Sequence, residues 1–177
     1  MDTSEEQKLP GEGTLWVTDV HEVRPIQLPP QEEREEGNPA HMTPITLMDA
    51  FDNVCEKLGD SPYLHSKEDG EWKAWTFNEY RGYIKQAARA MIKLGVEEYT
   101  GVAIMGFNCK QWFVADIASL YVGAIACGVY TTNLKDACKY ICEDAKAQIV
   151  FAENKAQLAK FSVHELESIK AYVCWEH

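Results

Sequence analysis

From Thr46 onward, stretches of helical periodicity alternate with short apolar runs, and most boundaries carry a stop or start signal. Thr46 reads as a cap before Met48, Phe51, Cys55 and Leu58, which share one helix face. Asp49 favours that N-terminus, and Gly59 ends the segment. The run PYLHSKEDGEWKAW then pairs two extended segments across Asp69-Gly70, a hairpin signal. Thr76 and Glu79 have capping-box spacing. Behind them, Tyr80, Tyr83, Ile84, Ala87, Ala88, Met91 and Ile92 form a continuous core face that Gly95 closes.

Beyond Gly95 the pattern predicts four buried strands: Val102–Gly106, Ala124–Tyr130, Gln148–Ala152 and Ala171–Trp175. Asn108 and Gln111 open a helix through Trp112, Phe113, Ile117, Leu120 and Tyr121. Asn133 caps a helix carrying Cys138, Ile141 and Cys142. A weaker helix holds Leu158, Phe161, Leu166 and Ile169. Apolar strands joined by helices predict a mostly parallel, doubly wound α/β sheet with right-handed crossovers. No closing helix follows the last strand, so residues 43–177 read as an incomplete, truncated α/β domain.

Phe113 to Tyr130 has the length of a short membrane span and a single charge, Asp116. Gly123 divides it into a helix-like half and a half rich in strand formers. A buried helix running into a buried strand explains it better.

Charge separates the first 42 residues from the rest. They hold ten acids against three bases, which puts −7 of the net −11 there. Five of the seven prolines also precede Met42. Residues 1–42 therefore read as an acidic, Pro-rich leader, extended or disordered, with no regular structure over residues 1–13. A basic start followed by an apolar run is missing, so the leader is not a signal peptide. The net charge argues against a nucleic-acid partner. Six cysteines without scaffold spacing, and no N-x-[ST] acceptor, predict free thiols in a reducing, cytoplasmic setting.

Candidate chemistry is sparse. No GxGxxG occurs. Gly123 and Gly128 have the spacing of a phosphate loop, but Val129 and Tyr130 stand where Lys and Ser/Thr are needed. His21, His41, His65, His164 and His177 are scattered and read as exposed or capping side chains. Cys138 and Cys142 share a helix face without a second pair, so they read as buried thiols rather than metal ligands. Trp72 and Trp75 read as lying on one side of a strand, in core or edge packing rather than ligand stacking. The residues by themselves assign no catalytic, cofactor-binding or metal-binding position.

Several stretches, in order, resemble the N-terminal part of the AMP-forming acyl-activating enzymes, in particular the bubblegum-type long-chain acyl-CoA synthetases. They are TLWVTDVHEVRPIQL, WTFNEY, ARAMIKLGV and, most specifically, the run from Gly101 to Asn154. The matching positions in that run are Gly106, Phe107, Asn108, Trp112, Phe113, Gly128, Val129, Tyr130, Thr132, Asn133, Ala137, Cys138 and Tyr140. The resemblance spans Thr14 to Trp175 and implies the N-terminal subdomain of the adenylate-forming fold. It implies a ligase that uses ATP, Mg and CoA to activate a fatty acid, with peripheral membrane association compatible and no transmembrane segment.

Two departures qualify what the resemblance implies. Leu134 and Lys135 stand where the family has Ser-Pro or Ser-Ala-type residues, and a lysine in a first helical turn opposes the macrodipole. The family's Ser/Thr/Gly-rich phosphate loop, downstream acids and C-terminal-domain lysine do not occur among the 177 residues. Near the strand ends only Lys110 and Lys135, read as exposed, offer positive charge. The expectation is a ligase fragment that is inactive alone and binds none of these cofactors well. A non-catalytic truncated isoform and a flavodoxin-like binding module stay open as alternatives.

Overall fold

The computed structural model describes residues 7–8, 14–15, 45–161 and 166–176. The chain divides into two units, Met1–Thr46 and Leu47–His177. In the first, β1 (Gln7–Lys8) pairs antiparallel with β2 (Thr14–Leu15). This corrects the expectation that residues 1–13 lack regular structure. Pro10 and Gly11 between the two strands are turn-forming types. The rest of the leader lies outside the described residues.

The second unit opens with α1 (Leu47–Leu58), which starts directly after Thr46 and buries Cys55. A hairpin follows, β3 (Pro62–Glu68) and β4 (Glu71–Thr76), with Asp69 and Gly70 both at positive φ in its turn. Next comes α2 (Phe77–Lys93), opened by the predicted capping box. The Glu79 N–H donates to Thr76 Oγ1 at 3.1 Å, and the Thr76 N–H donates to Glu79 Oε2 at 2.8 Å. Thr76→Ala removes half of that box and is expected to cost about 1 kcal/mol, read as a lower Tm.

The remaining elements are β5 (Gly101–Met105), α3 (Lys110–Tyr121), β6 (Ile125–Val129), α4 (Lys135–Asp144), β7 (Ile149–Ala152), α5 (Lys155–Leu158) and β8 (Ala171–Cys174). Phe113 to Tyr130 is therefore a helix and a strand. The strand order is β6-β5-β7-β8, all parallel. β5 is central and buried throughout, which accounts for its unbroken apolar run. Val102 and Ile104 face the layer of α2 and α3, while Ala103 and Met105 face that of α4 and α5. Ile84, Met91, Ile104, Met105 and Ile149 are fully buried, each contributing about 1.5–3 kcal/mol of transfer free energy.

Three helices end in one motif. Gly95, Gly123 and Lys146 each take positive φ one residue past the cap. The next N–H reaches back into the last turn, from Val96 to Met91 O, Ala124 to Ser119 O and Ala147 to Cys142 O. Lys146 is the costly choice because its Cβ crowds the left-handed backbone. Lys146→Gly is expected to stabilise the unit by roughly 0.5–1 kcal/mol, measured by denaturant unfolding.

Two local expectations need correction. Asn133 does not cap α4; the cap is Leu134, without a side-chain cap bond, while α3 opens just after Asn108 with Cys109 at its cap. The Asn133 N–H closes a turn to Tyr130 O at 3.0 Å, and the helix begins one residue later than a cap at Asn133 would place it. Among the described residues the weak helix before β8 is the single turn of α5, capped by Asn154, and Phe161 and Leu166 are buried as their pattern implies. Trp72 and Trp75 are an odd number apart, so strand alternation turns them to opposite sides. Trp72 is 71% exposed, and Trp75 packs against the core.

Candidate functional site

In a doubly wound sheet, ligands sit outside the carboxyl ends of the strands, where successive connections diverge. Here that point lies between β5, whose α3 connection runs to β6, and β7, whose α5 connection runs to β8. The crevice is filled by protein. The Glu153 N–H donates to Met105 O at 2.8 Å, the Phe107 N–H donates to Glu153 Oε2 at 3.3 Å, and the Glu176 N–H donates to Glu153 O at 2.8 Å. Gly106 lies against the Trp175 side chain: a Cβ there would stand 2.5 Å from the indole and 2.8 Å from Glu153 Cβ.

Space opens instead above the junction of β5 and β6, in a cavity of about 290 Å³ lined by Gly106, Asn108, Trp112, Gly128, Val129 and Tyr130. All six are positions on which the sequence resemblance rests; Gly123 and Gly128 form no phosphate loop, since one ends α3 and the other is inside β6. The bend after β6 is held from outside, by Lys160 Nζ donating to Thr131 O at 2.5 Å. Tyr130 and Phe107 stand 80% and 71% exposed at its rim.

The electrostatics do not favour a polyphosphate. Lys110, read from the sequence as exposed, is only 8% exposed. Its ammonium lies 2.5 Å from Glu68 Oε1 and 4.2 Å from the centre of the Trp75 ring. The ammonium bridges the hairpin and the start of α3, so its charge is already used. Lys135 is exposed. Burial raises the Cys109 thiol, and Glu153 and Glu176 raise it further. Among the described residues, then, the strand ends hold acids beside the crevice and no preorganised anion cradle. A triphosphate and its Mg do not fit this set of groups. No group of described His, Cys, Asp or Glu residues is arranged to hold a metal, and burial raises the thiols of Cys138 and Cys142.

The Lys110 hydrogen bond, followed by one from Ser66, lowers the Glu68 carboxyl from 4.5 to about 2. A depressed folded value stabilises the fold above the unfolded value and loses that contribution as pH falls. Glu68→Gln is therefore expected to flatten the decline of Tm between about pH 4.5 and 2, leaving other acid transitions in place.

The family model "AMP-binding enzyme" matches residues 51–176. This chain belongs to the AMP-binding enzyme family. The long-chain-fatty-acid–CoA ligase ACSBG2 of Xenopus laevis is 38% identical over 126 residues, 71% of this chain and 17% of that protein. ACSBG1 of Bos taurus is 31% identical over 165 residues, 86% of this chain and 23% of that protein. The chain thus spans about a fifth of the length of these AMP-binding relatives. Among solved structures, the anthranilate CoA ligase AuaEII with anthranoyl-AMP aligns at TM-score 0.65 and 19% identity, over 72% of this chain and 24% of that one. A fatty acid AMP ligase from Legionella pneumophila aligns at TM-score 0.60 and 17% identity, over 73% and 23%. At these identities the structures show the fold: an N-terminal α/β part of the adenylate-forming architecture. Among the described residues no helix is long and apolar enough to cross a membrane.

Proposed function

We propose that this chain is the N-terminal scaffold of a long-chain fatty acid–CoA ligase and does not form acyl-adenylate by itself. In the whole reaction a fatty carboxylate oxygen attacks the α-phosphorus of ATP, displacing pyrophosphate. The thiolate of CoA then attacks the acyl carbonyl and releases AMP. Both steps bring anions together, so the site must offset charge in a preorganised way. The reading is carried by one observation: the family match runs across the whole sheet, yet the described strand ends commit Lys110 to Glu68 and Lys160 to Thr131. The contribution of this part is structural. It fixes Gly106, Asn108 and Tyr130 at the rim of a cavity that a further part of the ligase would complete.

Sequencing the transcript past the His177 codon tests the assignment. The expected result is an in-frame Ser/Thr/Gly-rich loop ending in Lys. A stop codon directly after His177 would contradict it and favour a non-catalytic product.

A further inference from the structure

α2 is a basic helix in an acidic chain. Arg81, Lys85, Arg89 and Lys93 recur at a spacing of four, against the single acid Glu79, in a protein of net charge −11. Positions at that spacing form one ridge along a helix. The buried row Tyr80, Ile84 and Ala88 precedes the first three bases by one residue, which sets the ridge about 100° round the helix from it. Glu79 is held in the capping box at the opposite end of α2 from Lys93. Arg81 Nε lies 2.6 Å and Lys85 Nζ 3.3 Å from Asp52 Oδ1, so these two bases share one carboxylate of α1. Arg89 and Lys93 are exposed and enter no ion pair among the described residues. The acids that follow are engaged elsewhere: Glu97 Oε2 accepts from Gln148 Nε2, and Glu98 lies against Gly123. Beside the two unpaired bases stand two exposed aliphatic side chains, Ile92 at 63% and Leu94 at 43%.

We infer that this end of α2 docks the chain on an anionic phospholipid surface, with Arg89 and Lys93 among the headgroups and Ile92 at the acyl boundary. The inference rests on the ligase reading above, since a long-chain fatty acid partitions from water into a bilayer. Charge complementarity selects the partner. Attraction between a base and anionic headgroups fades within a Debye length, so one basic face can dock a protein whose other faces are acidic. The aliphatic side chains separate a lipid surface from an acidic polypeptide. Flanked by bases at the headgroups, Ile92 and Leu94 leave water for the acyl boundary, a gain that an acidic chain does not offer.

The test is co-sedimentation of the purified 177-residue chain with phosphatidylcholine vesicles, with and without about one-third phosphatidylserine. Binding is expected to the anionic vesicles alone, and to be lost at high salt. Arg89→Glu with Lys93→Glu is expected to weaken it about tenfold or more, and Ile92→Ser by about threefold. Arg89→Gln with Lys93→Gln keeps good helix formers and is expected to fall between wild type and the charge reversal, which separates lost charge from lost folding. Lys67→Glu with Lys155→Glu makes the same change in net charge at exposed positions elsewhere and is expected to stay within about twofold of wild type. Equal binding to neutral vesicles, no binding to either kind, or equal losses in the two charge-reversed pairs would overturn the proposal. An unaffected Ile92→Ser beside a weakened Arg89 and Lys93 pair would overturn the lipid surface in favour of an acidic polypeptide. Each of these results leaves the ligase reading intact, because the sequence past His177 decides that separately.

Discussion

Gly106→Ala is expected to destabilise the folded unit by about 1–3 kcal/mol, and Gly106→Val by more, seen as a Tm lower by several degrees. The reason is space rather than backbone conformation. The added carbon would stand 2.5 Å from the Trp175 ring and 2.8 Å from Glu153, so both must move. The Trp175 backbone is held by its N–H bond to Ala152 O, and its side chain packs against the core beneath α2 and α3. Glu153 is fixed by its bonds to Met105, Phe107 and Glu176. The matching double variant Gly106→Ala with Trp175→Ala is expected to lose less than the sum of the two single variants, since it removes the clash. Full additivity would mean that the ring and the glycine do not meet.

A larger loss is expected at Lys110. Lys110→Glu would bury a carboxylate at an 8% exposed site beside Glu68 and Trp75, at a cost of about 3–5 kcal/mol. Lys110→Met keeps the stem's packing and removes the buried charge, and Glu68 is exposed enough to regain water. That variant is therefore expected to be close to wild type in Tm. Comparable losses in both variants would show that the ammonium, rather than the absence of a buried anion, holds the hairpin to α3. Denaturant titrations of the two proteins in one buffer decide between them.

Much of the sheet was legible because its signals are local and redundant. Val102 to Gly106 is apolar on both sides of the strand, and β5 is indeed central and fully buried. Thr76 and Glu79 announce α2 with two reciprocal bonds, both of which form. The misreadings occur where one residue serves two local structures. Asn133 has a capping side chain, but it sits in the turn after β6, its N–H bonded to Tyr130 O, and Leu134 takes the cap position before Lys135. Lys110 looked exposed because lysines usually are; its burial depends on Glu68, 42 residues earlier, and no local pattern reports such a partner. The same limit applies to the crevice. Gly106 belongs to the resemblance, yet its contact with Trp175 across the ends of β5 and β8 is visible only in the fold.

The central claim is that this chain carries the ligase's scaffold without its chemistry. Fatty-acid-dependent exchange of labelled pyrophosphate into ATP, measured on the purified 177-residue chain with Mg, tests it most directly. No exchange above a heat-killed control is expected, beside clear exchange by a full-length ligase assayed in parallel. Exchange by the chain alone would contradict the account and place an anion-binding site among residues described here as scaffold.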